Sequence, residues 1–361
     1  MDKVIVTHRG ALTRKYGATG LARIREALRA LAEADGRRGI RSRMVWLDDA
    51  AAMKKLRAKP LASPTDCRGA KVAIDRVFEK LSPAYLMIVG APDVVPHQDL
   101  TNPAFSAGDD DPTAWGDLPY ASDAAYARDP ARFVGPTRVV SRLPDLYGAR
   151  EPSHLLALLR TARGWKSRRP TAYRAYFGLS AAEWEGSTRQ SIDNTFGDDG
   201  ALLLSPPRGP RHTSRRLAAP MHFINCHGGT SVPEFYGQKG TAYPRSLTTR
   251  ATLKLIRKGT VAAVECCFGG QLYDSVTLDL DVPICQSYLR QGAYGYLGST
   301  TIAYGPADDN GAADLLCQYF LQRILAGASV GRAALEARQR FVERCAQMDP
   351  MDLKTLAQFC V

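Results

Sequence analysis

Short apolar runs alternate along this chain with stretches whose apolar residues recur every three or four positions, and this alternation restricts the fold more than any other feature. Lys3–Thr7, residues 44–47 and Tyr85–Val89 read as strands. Between them, Leu21, Ile24, Leu28 and Leu31, and later Ile74, Val77, Phe78 and Leu81, each fall on one face of a helix. Strands separated by helical crossovers pair in parallel, because a tight turn cannot bring the chain back to the same end of a sheet. The expected class is α/β, with mainly parallel sheets flanked by helices. A further strand is expected at 137–140 and a helix through Leu155, Leu158 and Leu159.

The segment Lys166-Ser-Arg-Arg-Pro170, charged and then broken by proline, divides the chain into two consecutive lobes, 1–168 and 169–361. In the second lobe strands are expected at 173–179, 201–204, 221–225, 260–265 and 294–297, with long helices near 309–326 and 329–346. Residues 356–361 read as an apolar strand that stops abruptly, as in a fragment of a longer product. Residues 99–136 form a polar loop rich in proline and aspartate, and a loop this long is usually functional or mobile. Its triplet Asp109-Asp110-Asp111 offers oxygen ligands for calcium; no full ligand spacing accompanies it, so a solvated loop is the simpler reading.

The chain has 361 residues, a net charge of +12 and eight cysteines. Its basic pairs are scattered rather than gathered into an aromatic-interleaved stripe, so nucleic acid is not the expected partner. No run of about 18 apolar residues occurs, which argues against a membrane span. The opening MDKVIVTHRG lacks the features of a secretory signal, and the expected location is cytoplasmic. Two of the cysteines are adjacent and none has zinc spacing, so reduced thiols are expected, with no metal centre.

Two strands end in unusual chemistry. The run 221–225 leads through Cys226 to His227, Gly228 and Gly229, and the run 260–265 leads through Cys266 to Cys267, Phe268, Gly269 and Gly270. In open parallel sheets, sites gather beyond the carboxyl ends of the strands. If these two strands are neighbours, an imidazole and a thiol face one crevice. A thiol needs such a base to become a competent nucleophile. Glycines let a substrate carbonyl approach, and the N–H groups of Gly228 and Cys267 can bind the developing oxyanion. The bland alternative is a pair of core thiols and a turn histidine, which fits either strand alone better than both together. Because neighbours on a strand point opposite ways, only one of Cys266 and Cys267 can face His227, and Cys267 stands at the exit.

His227-Gly228, with Cys267 preceded by a small residue and followed by glycine three positions later, resembles the gingipain-type cysteine peptidases of the caspase-like clan. Tyr85-Leu-Met-Ile-Val-Gly90, Ser122-Asp123, Val139-Val-Ser-Arg-Leu143 and Tyr294-Gly-Tyr-Leu-Gly-Ser-Thr300 extend that resemblance along the chain. It implies a two-lobed caspase-like fold and a peptidase needing no cofactor. Cys267 would be nucleophile and His227 base, with Glu183 orienting the histidine and Glu185 close by. The arginine-cleaving relatives carry an acid where Ser187-Thr188 stands here, so that acid is missing; Asp193, Asp308 or Asp309 are the candidate substitutes. Ser299 and Tyr304 would line the specificity pocket. The expected partner is a protein or peptide substrate, with an activating protein as a further candidate. A catalytically silent interaction module of the same fold is the competing expectation. A nucleotide-binding protein is disfavoured by the absence of a phosphate-binding glycine loop.

Overall fold

In the computed structural model, which describes residues 1–345 and 347–360, the alternation resolves into two sheets. The first lobe runs β1 (Lys3–Thr7), α1 (Arg9–Arg37), β2 (Ser42–Trp46), α2 (Ala50–Lys55), α3 (Cys67–Leu81), β3 (Tyr85–Val89), β4 (Gln98–Thr101), β5 (Thr113–Gly116), β6 (Val140–Leu143) and α4 (Ser153–Arg163). Its four-stranded sheet has the order β2-β1-β3-β6, parallel throughout. The local causes are those expected of crossover helices. In α3, Asp66 caps the first turn by accepting from the Gly69 N–H, worth about 1 kcal/mol. Ala70, Ile74, Val77 and Phe78 form its buried stripe, and Ser82 ends it in a left-handed conformation (φ 42°).

The second lobe runs β7 (Tyr176–Ala181), α5 (Glu185–Phe196), β8 (Leu202–Ser205), α6 (Ser214–Leu217), β9 (Met221–Asn225), β10 (Glu234–Tyr236), β11 (Arg245–Thr248), α7 (Thr249–Thr252), β12 (Val261–Val264), α8 (Ile284–Arg290), β13 (Gly295–Ser299), α9 (Ala312–Leu325), α10 (Val330–Arg344), α11 (Pro350–Gln358) and β14 (Phe359–Cys360). Its six-stranded sheet has the order β14-β13-β12-β9-β7-β8, parallel except for β14. Every residue of β9, β12 and β13 is buried, as strands covered on both faces must be. The α/β class and its mainly parallel sheets are therefore as the sequence pattern implied.

Several boundaries differ from the sequence expectations. The strand expected at 137–140 lies at Val140–Leu143 and includes Arg142, whose guanidinium is buried against Asp117. A charged residue inside a strand defeats hydropathy. The strand expected at 173–179 begins later, because Pro170–Tyr173 forms a 3₁₀ turn. The supposed loop at 99–136 contains the hairpin β4–β5. At the C-terminal end, residues up to Gln358 are helical rather than extended. Asp349 and Asp352 form a reciprocal capping box with Pro350 in the first turn, a strong helix start. Strand structure is confined to Phe359–Cys360, and Val361 lies outside the described residues.

The first sheet carries its own core, including Ile5, Leu28, Ile74 and Ile88. One face of the second sheet packs Phe223, Ala263, Phe320 and Phe341, and this cluster also takes in Leu100, Ala114, Leu118 and Phe133 from the chain before residue 168. The other face packs Leu179, Ile224, Cys266 and Tyr288. Among the described residues no helix is long and apolar enough to cross a membrane.

Candidate active site

The strands that end in His227 and Cys267 are direct neighbours. β9 and β12 pair in parallel with Met221 opposite Val261 and Ile224 opposite Val264, the same spacing in sequence that separates His227 from Cys267. The Glu265 N–H donates to the Ile224 carbonyl at 2.9 Å, which carries the register one step past the strand. A Cβ on Gly228 would overlap the Cys267 carbonyl, so the two strand exits touch backbone to backbone. Only glycine allows that approach.

Cys266 and Cys267 part as the pleat requires. Cys266 is fully buried beside Cys226, and burial holds its thiol far up. Cys267 is partly exposed, and its Sγ donates to the Ala303 carbonyl at 3.6 Å. Burial also raises the Cys267 thiol, opposed in part by the Lys354 charge. Beyond it Phe268 adopts φ 55°, a conformation a bulky side chain rarely takes. The turn is clamped to the end of β13: the Phe268 N–H donates to the Thr301 carbonyl at 2.8 Å and the Gly270 N–H to the Ser299 carbonyl at 2.7 Å. The N–H groups of Gly228 and Cys267 have no hydrogen-bond acceptor among the described residues.

His227 is held by its main chain, which exchanges two 2.8 Å hydrogen bonds with Tyr236 at the edge of the β10–β11 hairpin. Its ring lies between Trp184 (centroids 4.3 Å apart) and Tyr243 (5.2 Å). Nε2 meets Gln238 Oε1 at 2.7 Å. An amide oxygen can only accept, so Nε2 is the donor in this contact and Nδ1 is left for another partner. Glu183 is elsewhere: its carboxylate accepts from the Gly240 N–H at 3.3 Å, and its own N–H donates to the Gln238 carbonyl at 3.1 Å. The loop containing Glu183 does reach the histidine, but through Trp184, and the group on the ring nitrogen is Gln238. Sequence reasoning missed Gln238 because it lies between hairpin strands with no motif around it.

The expected pocket residues separate. Thr188 is buried, its hydroxyl bonded to Ser180 Oγ at 2.8 Å and to Asn225 Nδ2 at 3.1 Å. Ser299 is buried, with its hydroxyl on the Thr301 carbonyl. Asp193, on α5, is exposed, as are Asp308 and Asp309. Glu185 pairs with Arg189. Tyr304 follows the Ala303 carbonyl that meets the thiol, and its hydroxyl donates to Asp109 Oδ2 at 2.6 Å. Asp109, expected in solvent or on calcium, is fully buried and also bonds Lys354 and Asn102. Its oxygens are thus bonded within the protein, and Asp109 ties the first lobe to Tyr304 and Lys354.

One other cluster brings metal-ligand types together: His97, Asp117 and Cys360 lie with donor atoms within 4.8 Å of one another. Arg142 takes both Asp117 oxygens, at 2.8 and 2.6 Å, so the carboxylate is already engaged by a guanidinium. A cavity of about 590 Å³ between the lobes, lined by Leu86, Leu143, Tyr294, Tyr296 and Val330, contains neither His227 nor Cys267.

No protein-family model and no curated protein sequence matches the chain. Solved structures do. The Arg-specific cysteine proteinase gingipain R superposes with a TM-score of 0.63 at 11% identity, over 99% of this chain and 76% of that one. A structure described as a protease gives 0.60 at 14% identity, over 100% and 76%. The complex of Porphyromonas gingivalis RgpB pro- and mature domains gives 0.63 at 11%, over 100% and 78%. At such identities the likeness concerns the fold, and the fold of this chain is gingipain-like.

Proposed function

We propose that the chain is a cysteine endopeptidase that uses Cys267 as nucleophile and His227 as base. The observation that carries this reading is the shared register of β9 and β12, which delivers an imidazole and a partly exposed thiol to adjacent strand ends. Burial favours the neutral thiol, so a base is needed to take its proton. His227 Nδ1 takes the Sγ proton while sulfur attacks the scissile carbonyl carbon. The oxygen of the tetrahedral adduct is met by the N–H groups of Gly228 and Cys267, worth about 3–4 kcal/mol per good donor. On collapse the C–N bond breaks and the imidazolium gives its proton to the leaving amine. Water, deprotonated by the same nitrogen, then hydrolyses the thioester and restores the thiol. Gln238 orients the ring, and Glu183 holds the loop that carries Gln238.

The test replaces the two adjacent cysteines separately. Cys267→Ala is expected to abolish cleavage of a denatured proteome, mapped by mass spectrometry, while Cys266→Ala keeps it. Undiminished cleavage by Cys267→Ala sinks the assignment; loss only in Cys266→Ala moves the nucleophile by one residue. Absence of any cleavage by the wild-type chain, with Cys267 inert to peptide-based thiol reagents, would favour a silent interaction module of the same fold.

A further inference from the structure

Parallel strands all start at one end of a sheet, so the segments that lead into β7, β9 and β12 meet there. Tyr176 stands opposite Met221 and Met221 opposite Val261, which sets the three starts level. His227 and Cys267 follow the other end of the same strands. The lead-in segments are chemically alike. Residues 152–182, 200–233 and 235–264 contain six, four and six Lys or Arg and no Asp or Glu. The rest of the chain has fewer Lys and Arg than Asp and Glu, so the net charge of +12 comes from these three stretches. Basic pairs that are far apart in the sequence are thereby brought to one face.

Arg168, Arg169, Arg257 and Lys258 line a trough of about 910 Å³ there, together with the small residues Ala172 and Ala218. Arg174, Arg215 and Arg216 stand within a few positions of that lining in the sequence. All seven cations are exposed, and none makes an ion pair among the described residues, whereas Arg38, Arg41, Arg138 and Arg189 each hold a carboxylate. Arg168 is seated rather than loose: its guanidinium donates to the Lys258 carbonyl and lies over the Tyr294 ring, 5.6 Å from its centroid. Like charges are thus held side by side without an acid between them. That arrangement costs the free protein energy, and a concave wall of one sign focuses its field on an incoming anion.

An aromatic platform flanks the charge. Trp165, three residues before Arg168, is 40% exposed, and Arg38 lies over its ring at 5.7 Å. Cations along a trough with an exposed indole beside them are what a strand of phosphodiesters with unpaired bases requires. From these positions we infer that the face formed by the starts of β7, β9 and β12 binds single-stranded nucleic acid, with phosphates along the trough and a base on Trp165. The predominance of arginine fits phosphate oxygens, which a guanidinium meets with two donors at once. A flat bilayer would not follow the concavity, and an acidic peptide would leave the indole unused. No residue of the dyad takes part, so the inference stands apart from the peptidase reading.

Fluorescence anisotropy of a labelled single-stranded oligonucleotide of about 16 nucleotides, titrated with the full chain at several salt concentrations, tests it. The wild-type protein is expected to bind, with an affinity that falls as salt rises. Arg169→Glu combined with Arg257→Glu should weaken binding by about 10-fold or more and flatten that dependence. Lys54→Glu combined with Lys55→Glu, exposed on α2, changes the net charge equally and should alter binding by less than about twofold. Trp165→Leu should weaken it by about fivefold or more. Absence of wild-type binding at about 50 mM salt overturns the inference, as do equal losses in the two charge-reversed pairs or an unchanged affinity in Trp165→Leu. Displacement of the oligonucleotide by polyglutamate or by phosphatidylserine vesicles as readily as by unlabelled strand would give the face to an acidic protein or a membrane, and overturns it too.

Discussion

At the scale of single residues, orientation carries more of the chemistry than acidity does. Burial raises the Cys267 thiol, so in the proposed mechanism reactivity depends on how well His227 is aimed when the substrate arrives. Trp184 and Tyr243 pack on the ring, and Gln238 hydrogen-bonds its Nε2. Gln238→Ala should therefore lower kcat by about 10- to 100-fold with little change in KM, read from steady-state kinetics on a cleaved peptide. Gln238→Asn, too short to reach, should behave like alanine; a loss confined to KM would instead make Gln238 a substrate contact. The placement of His227 and Cys267 at neighbouring strand ends was legible in the sequence because each follows a buried strand run and precedes a glycine pair. Gln238 was not, since it meets the histidine across a hairpin whose residues show no period.

Among the elements, the decisive joint is where α11 and the polar segment after β4 meet the wall of the site. Lys354 on α11 is fully buried against Asp109, which in turn receives the Tyr304 hydroxyl and the Asn102 amide. Removing one partner of such a pair leaves an uncompensated buried charge, whereas removing both leaves none. Lys354→Met is expected to cost about 3–5 kcal/mol in urea denaturation, and Asp109→Asn added to it should recover most of that loss. If the double variant were as unstable as the single, methionine packing rather than charge would be responsible. The strands at the centre of each sheet were readable as mainly apolar runs, since burial on both faces favours apolar residues. The hairpin β4–β5, the strand holding Arg142 and the helix α11 were not. Their stability comes from ion pairs and caps such as Asp117–Arg142 and Asp349–Asp352, which hydropathy scores as solvent-exposed.

Over the whole molecule, the division at the charged Lys166–Pro170 segment separates the two sheets but not the two cores. Leu100, Leu118 and Phe133 precede that segment and pack with Phe223, Phe320 and Leu356 of the second lobe. Gly116 lies so close to the Ala357 backbone that no side chain fits between them, and Thr300 Oγ1 bonds the Trp115 carbonyl. The Gln286 amide donates to the Asp145 carbonyl at 3.0 Å from the other side. Opening the lobes would therefore expose apolar side chains from both halves at once, each worth about 1.5–3 kcal/mol when buried. The two lobes should unfold as one cooperative unit. Variants retaining a single tryptophan can report each half: Trp46 at the end of β2, or Trp184 beside His227. In urea, the two fluorescence transitions and the far-UV circular dichroism should share one midpoint. A Trp46 signal that survives after the Trp184 signal is lost would show an independently stable first lobe, and the shared core would then contribute little. Coincidence would mean that the dyad exists only while the lobes are joined, because the segment that closes the second core also positions Asp109 behind Tyr304.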